Sequence, residues 1–122
     1  MQKTKDIPGR FGFLVSEASG HRSRESIVIA ENQTLKAGAV LGQVTTGGQY
    51  VELNPAASDG SEAAAAILGE AVTTGAGETE ARAVVIRDAE VNSAELIWPT
   101  GITAPQQTAA IGELNALGIV LR

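Results

Sequence analysis

Residues 40–53 read VLGQVTTGGQYVEL, which is two apolar runs separated by a short polar stretch. The runs Val40–Val44 and Tyr50–Leu53 contain the β-branched and aromatic residues that are enriched in strands. Between them, Gly47 and Gly48 can adopt the positive φ values that a tight turn requires. The stretch therefore predicts a β-hairpin.

Further short β-like runs lie on both sides of this hairpin. Ile27–Ile29 is β-branched throughout, and Ala83–Arg87 and Leu96–Trp98 also have the composition of strands. Pro99 should close the last of these, because proline cannot donate a ladder hydrogen bond. Ile119–Leu121 is predicted to return as a short terminal strand.

The clearest helix signal lies near the C-terminal end of the sequence. Pro105 suits a first helical position, and Gly118 stands where a left-handed C-terminal cap is expected. The apolar residues between them fall on one helical face: Ala110, Ile111, Leu114 and Leu117.

Residues 63–72 are ambiguous. The run of alanines from Ala63 to Ala66 favours a helix, since alanine is the best helix former. Gly69 interrupts the run, however, and a buried strand with small side chains fits the same residues. Sequence physics leaves helix and strand open here.

Length and composition limit the possible architecture. A chain of 122 residues suits one domain. Aromatic residues make up only 3% against 43% for all hydrophobic residues, so the core must be mainly aliphatic and thin. Oligomerisation is a plausible further source of stability.

Charge and residue usage exclude several classes of partner. A net charge of -5 argues against direct binding to nucleic acid, which depends on clustered Lys and Arg. The sequence has no Cys and no stretch approaching the roughly 20 apolar residues of a membrane helix. We expect an unexported protein with no membrane partner and no disulfides.

The first 26 or so residues are interpreted as a flexible arm, because they combine most of the basic side chains with glycines and few periodic apolar residues. Within them, Phe11-Gly12-Phe13-Leu14-Val15 gathers both Phe residues of the chain into one apolar island. Such an island is buried either against the domain's own core, as an N-terminal strand, or against a partner. We favour the partner.

Catalytic and metal chemistry find little support. His21 is the only His and lies in the N-terminal part, with no rigid scaffold to orient it. Asp59-Gly60-Ser61-Glu62 lacks the alternating ligands of a calcium loop and is predicted to be a turn. No phosphate-binding glycine motif is present. We therefore expect no enzyme activity, no cofactor and no metal site.

Several segments, taken in order, resemble the bacteriophage lambda-type head decoration protein family. The matching segments are HRSRE (21–25), LKAGAVLG (35–42), YVELNPAA (50–57), DGSEA (59–63) with AIL (66–68), LIWP (96–99) and LNALGIVLR (114–122). The resemblance spans about residues 20 to 122, and the order and spacing of the segments carry it rather than any single motif.

The resemblance implies a mainly β, tulip-like or barrel-like domain at residues 21–122, with one or two short helices, assembled as a trimer. It favours a strand for residues 63–72. It also implies a structural protein that binds the major capsid protein at local three-fold positions on the outer surface of the expanded head, after synthesis in the host cytoplasm. Residues 1–20 would be the capsid-binding arm, with Phe11, Phe13, Leu14 and Val15 as anchors chosen by hydrophobicity.

Two questions stay open at this stage. Trp98 is large enough to anchor either the core or a subunit interface, and the same two alternatives apply to four further residues. That group is Pro99, Leu117, Ile119 and Leu121. The alternative function is a free-standing β-barrel module that binds a carbohydrate or protein, although the chain has few aromatic side chains for such a surface.

Overall fold

The computed structural model of the chain describes residues 11–17 and 22–122. Within these residues the chain forms ten strands, one α-helix and a 3₁₀-helix at Ser93–Glu95. The strands are β1 (Leu14–Glu17), β2 (Arg24–Ile29), β3 (Thr34–Leu35), β4 (Val40–Gln43), β5 (Tyr50–Glu52), β6 (Ala64–Leu68), β7 (Val72–Thr73), β8 (Glu80–Val85), β9 (Ala89–Val91) and β10 (Ile119–Leu121), and the helix is α1 (Ala104–Ala116).

Five of the strands close into a barrel, in the order β2-β5-β4-β6-β8. Antiparallel pairing of β2 with β8, from Arg24 opposite Val85 to Ile29 opposite Glu80, joins the two ends of this order. Side chains that point inward fill the barrel with aliphatic groups. The fully buried ones are Ile29, Leu41, Ala66, Leu68 and Val84.

A three-stranded sheet in the order β1-β9-β10, here called the open sheet, lies beside the barrel. Strand β1 is antiparallel to β9, and β10 is parallel to it. Helix α1 contacts both β10 and β6, and so it joins the open sheet to the barrel. The mainly β fold with one α-helix confirms the predicted fold class.

A second core lies between the barrel, the open sheet and α1. It takes the outward-pointing residues Val40, Ile67 and Val85 of the barrel strands, and Leu114 of the helix. Because successive side chains of a strand point to opposite faces, the start of β4, all of β6 and the end of β8 are buried on both faces. This explains the apolar runs without alternation at Val40-Leu41, Ala64–Leu68 and Val84-Val85.

Residues 63–72, left open by the sequence, contain strands and no helix. Strand β6 pairs with β4 on one side and with β8 on the other. Small side chains are needed because Ala66 is fully buried opposite Leu41, inside the narrow barrel. Tertiary packing therefore overrides the helix propensity of alanine.

The predicted hairpin is confirmed by antiparallel pairing of β4 and β5. Gly47 and Gly48 have φ values of 88° and 74°, so the turn uses the conformational freedom that the sequence indicated. The turn is closed by the Val44 N–H, which donates to the carbonyl oxygen of Gln49 at 2.8 Å.

The predicted helix is also confirmed. The Thr103 hydroxyl accepts from the N–H of Gln106, whose side chain accepts from the N–H of Thr103, and this capping box begins α1. Gly118 has a φ of 87° just after the helix. The buried face is narrower than predicted, since Ala110 and Leu114 are buried while Leu117 is exposed.

The strand predicted at Leu96–Trp98 is wrong apart from one isolated bridge, between Ile97 and Ala39. The side chain of Asn92 accepts from the N–H of Ala94 and caps the short 3₁₀-helix, which interrupts the extended chain. The extended residues in this region are instead Ala89–Val91, as β9. The strand predicted at Ala83–Arg87 is present as β8, shifted towards the N-terminus.

Candidate functional site

The N-terminal segment, defined as residues 11–17, packs onto the open sheet. Phe11 and Phe13 are buried within the chain's own core, and their ring centroids are 6.0 Å apart. The N–H of Asn92 donates to the carbonyl oxygen of Phe13 at 2.7 Å, and the N–H of Phe11 donates to that of Gly69 at 2.8 Å. The apolar island could be buried against the domain's own core or against a partner, and this packing corresponds to the first alternative, an N-terminal strand on the domain's own core.

Phe11 occupies a site formed by Gly69 and Arg24, here called the cradle. The guanidinium carbon of Arg24 lies 3.9 Å from the centroid of the Phe11 ring, within cation–π distance. A Cβ atom on Gly69 would lie 2.2 Å from the Cζ atom of Phe11, so the ring fits only because residue 69 has no side chain. Phe11 has a φ of 51°, a strained value for a bulky residue.

Arg24 also holds the other end of the N-terminal segment. Its Nε and Nη2 atoms donate to the two carboxylate oxygens of Glu17 at 2.9 and 2.7 Å, a bidentate pair. The hydroxyl of Ser23 donates to the same carboxylate. Arg24 therefore contacts both the first and the last residue of the segment.

Leu14 and Val15 differ in exposure. Leu14 pairs with Val91 and packs partly buried against the core, whereas a bulge follows it and leaves Val15 55% exposed. Strand β1 is an edge of the open sheet, and an edge strand carries backbone groups that a further strand could pair with.

The beginning of β1 and the end of the chain lie together. Leu14 and Leu121 pair with opposite sides of Val91, and the carbonyl oxygen of Arg122 accepts from the N–H of Ser93 at 3.1 Å. An ion pair between Arg122 and Glu90, 2.8 Å long, crosses from β9 to the C-terminal residue. The hydrogen bond between the two side chains lowers the pKa of Glu90 below its ordinary value and raises the pKa of Arg122 above its own.

The residues predicted to form the trimer interface or the core differ in their burial. Ile119 is completely buried in the chain's own core, and Leu121 packs half-buried against it. Trp98 also packs half-buried against this core, beside the half-buried Pro99, and Leu117 is 37% exposed. A role for these residues between subunits stays a prediction.

A groove of about 600 Å³ lies between the loop Asn54–Ala56 and the loop 99–102. Polar groups supply somewhat more of its wall than apolar groups, and Glu52, Asp59 and Gln106 are among the polar residues. The predicted turn at Asp59 is confirmed: the Ser61 hydroxyl donates to the Asp59 carboxylate at 2.6 Å, and this hydrogen bond lowers the pKa of Asp59. No group of three metal-binding side chains occurs among residues 11–17 and 22–122.

Parts of the predicted site lie outside the described residues. These are residues 1–10 and 18–20 of the predicted arm, together with His21 at the start of the predicted domain. The capsid-binding role of Phe11, Phe13, Leu14 and Val15, and the division of the chain at residues 20 and 21, stay predictions. In the described part of the chain, no helix has the length and apolar character needed to cross a bilayer.

Sequence reasoning missed the cradle. In the sequence, Arg24 stands out only as part of the segment HRSRE (21–25), and Gly69 only as an interruption of the alanine run. An isolated glycine in a strand-like run can mark a place where another group approaches closely, and here that group is the Phe11 ring.

The geometry defines a mostly β protein in which a closed five-stranded barrel carries an open sheet and a single covering helix. The chain belongs to the bacteriophage lambda head decoration protein D family, whose model matches residues 8–119, nearly the whole chain. None of the curated proteins compared with the chain matches it. Membership supports a role in decorating a phage head as a structural component of the virion.

Proposed function

We propose that this protein binds as a trimer at local three-fold positions on the outer surface of the expanded phage head and stabilises it against the pressure of packaged DNA. The observation that best supports this is the open sheet, whose outer strands β1 and β10 have no further strand beside them among the described residues and whose strand β1 is supplied by the N-terminal segment. The barrel strands, by contrast, are all paired on both sides.

The partner in this proposal is the major capsid protein, and the attachment is by strand addition. Main-chain hydrogen bonds would form between a capsid segment and this protein, either directly or through residues of the arm. The capsid edge that takes part would be one that only the expanded lattice presents. Selectivity for the expanded state is essential, because a binder shifts an equilibrium only through its different affinities for the two states.

The arm in this proposal is best limited to residues 1–10, which precede Phe11. These residues include Lys3, Lys5 and Arg10 with one acid, Asp6, so they are basic, while the remainder of the chain is acidic. A basic arm can approach an acidic capsid surface without repulsion and can leave residues 11–17 packed on the domain.

Reinforcement then needs no chemical step. A trimer that bridges several capsid subunits raises the free energy needed to separate them. Three arms on one trimer bind with avidity, since attachment of the first arm makes the later contacts intramolecular. Trp98, Pro99, Leu117 and Leu121 are proposed to contribute to the contact between subunits, because each retains exposed apolar surface.

Co-sedimentation with undecorated shells tests the proposal. The purified protein is mixed at equal concentration with expanded and with unexpanded shells of its own phage, and pelleting is measured. We expect saturable pelleting with expanded shells alone, and at least a tenfold weaker affinity for a variant that lacks residues 1–10. Absence of pelleting with expanded shells would contradict the proposal.

The polar groove near Asn54 and Asp59 is the feature that favours the alternative, a free-standing module for a carbohydrate or protein ligand. Amide and carboxylate side chains can bind sugar hydroxyls. The residues that line the groove include no aromatic side chain, which such sites commonly use for stacking. Binding to an array of glycans, combined with no pelleting on shells, would favour this alternative.

A further inference from the structure

We infer that Phe11 is a positioning residue that fixes the point at which residues 1–10 leave the domain, and that it does not itself contact the capsid. The inference rests on the proposed function. It assigns to Phe11 a role different from the anchor that hydrophobicity alone suggested.

The first observation is that Phe11 is held in an unfavourable backbone conformation. Its φ of 51° is costly for a large side chain, and such a conformation persists only where surrounding contacts enforce it. The contacts are the hydrogen bond from its N–H to Gly69 and the hydrogen bond from the Leu14 N–H to its own carbonyl oxygen, at 3.1 Å. The backbone at Phe11 is thereby fixed in direction as well as in place.

The second observation is the fit of the ring. Three ring atoms of Phe11 lie within 2.6 Å of where a Cβ of Gly69 would be, and the Arg24 guanidinium covers the ring at 3.9 Å from its centroid. Only 7% of Phe11 is exposed. A ring enclosed in this way has little surface to offer a partner.

The third observation is the double role of Arg24. It covers the Phe11 ring and forms the bidentate pair with Glu17, so one side chain on β2 fastens both ends of the N-terminal segment. Release of Phe11 would therefore free the backbone before Phe13, which stays buried in the core, and the direction of the chain at residue 11 would no longer be fixed.

The expected size of the effect follows from the ordering of the backbone. Once the Phe11 ring is released, the backbone at residue 11 must be fixed again when the arm binds, and fixing one residue lowers an equilibrium constant by roughly tenfold. The affinity for shells should therefore fall by about tenfold.

Gly69→Ala separates the two possible roles of Phe11, because it expels the ring while leaving Phe11 in the chain. The φ of Gly69 is not positive, and the three atoms nearest to a Cβ placed there all belong to the Phe11 ring. If Phe11 is a positioning residue, Gly69→Ala should weaken shell binding about tenfold, as Phe11→Ala should. If Phe11 instead contacts the capsid, Gly69→Ala should leave binding unchanged or strengthen it, since the ring is freed for the partner.

The experiment measures affinity for expanded shells for the wild type, Gly69→Ala, Phe11→Ala and the double variant. We expect the double variant to be no weaker than either single one, because Phe11→Ala removes the three ring atoms that lie nearest to a Cβ at residue 69. Val84→Ala, in the barrel core, serves as a destabilised control that should bind shells normally at temperatures where it is folded.

The outcomes are distinguishable. If the wild type fails to bind expanded shells, the proposed function is wrong and this inference fails with it. If the wild type binds and Gly69→Ala binds equally or more tightly, the inference alone is overturned. Equal weakening by Val84→Ala would also overturn it, since the effect would then report stability and not the position of the arm.

Discussion

The barrel and the open sheet differ in how their strands are paired. Every barrel strand has a neighbour on both sides, although β2 pairs with β5 only at Ile29 opposite Tyr50. In the part of the chain that the structure describes, the open sheet has three strands, and its outer strands β1 and β10 are edges. The barrel is therefore suited to be a rigid support, and the open sheet to be the part that gains contacts on assembly.

The two regions also differ in what fills their cores. Aliphatic side chains and Tyr50 fill the barrel, where burial and the nearby Glu25 raise the pKa of the phenol. The core beside the open sheet contains Phe11 and Phe13, with Trp98 packed against it. Few large rings stabilise the open sheet, so the loss of any one of them should be costly there.

The largest effect is expected from deletion of residues 1–15, compared with deletion of residues 1–10. The longer deletion removes two buried Phe residues, worth roughly 3 to 5 kcal/mol each, from a domain whose total stability is of order 5 to 15 kcal/mol. We expect thermal unfolding followed by circular dichroism to show a folded protein for the shorter deletion only. Similar melting temperatures would mean that the open sheet does not depend on the N-terminal segment.

Phe13→Ala sharpens the comparison at a single position. Because Phe13 is 2% exposed in the core, the free energy of unfolding should fall by roughly 3 to 5 kcal/mol. Val28→Ala, on the exposed surface of a barrel strand, is the control and should change it by less than about 0.5 kcal/mol. Denaturant titration measures both, and an equal loss in the two variants would contradict the packing described for Phe13.

Trp98→Ala should have an intermediate effect. The ring is half-buried against the core, so a loss of about 1 to 3 kcal/mol is expected, less than for a fully enclosed ring. The same denaturant titration applies. A change below about 0.5 kcal/mol would show that Trp98 contributes nothing to the isolated chain and would strengthen its assignment to the contact between subunits.

Gly112→Ala tests whether α1 is limited by packing or by its own propensity. No atom lies within 4 Å of a Cβ placed on this helical glycine, so alanine should stabilise the protein by about 0.5 to 1 kcal/mol. The matched change Gly42→Ala in the barrel should destabilise instead, because its Cβ would lie 2.4 Å from the carbonyl oxygen of Ser61. A loss of stability in Gly112→Ala would contradict the position of the helix.

The smallest effect concerns pH and the ion pair on the open sheet. The pKa of Glu90 is lowered by Arg122, so the pair adds stability above the unfolded pKa of a glutamate, and this is lost as the pH falls through the lower, folded pKa. In Arg122→Ala the pKa of Glu90, followed by carboxyl NMR, should rise towards its ordinary value. Asp59, whose pKa is lowered by Ser61, is the internal control and should not change.

Local signals in the sequence predicted the elements that local interactions form. The hairpin depends on Gly47 and Gly48, and α1 on Thr103, Pro105 and Gly118, all within a few residues of the structure they specify. Such features could be predicted because neighbouring residues determine them.

Features set by distant contacts could not be predicted in this way. Residues 63–72 are strands because β4 and β8 lie on either side of β6, and propensity carries no information about those neighbours. The burial of Phe11 depends on Gly69, which is far away in sequence, and on Arg24, whose guanidinium covers the ring. Hydrophobicity indicated that the Phe pair is buried, but it could not identify the surface that covers it.

The most direct test of the division between the two regions is hydrogen exchange, measured by mass spectrometry on the free protein and on the protein bound to expanded shells. The account predicts slower exchange on binding in residues 1–10 and at the edge strand β1, with unchanged exchange in the barrel strands β4, β6 and β8. Protection confined to the barrel, for example at the hairpin turn around Gly47, with none at the N-terminal end, would contradict it.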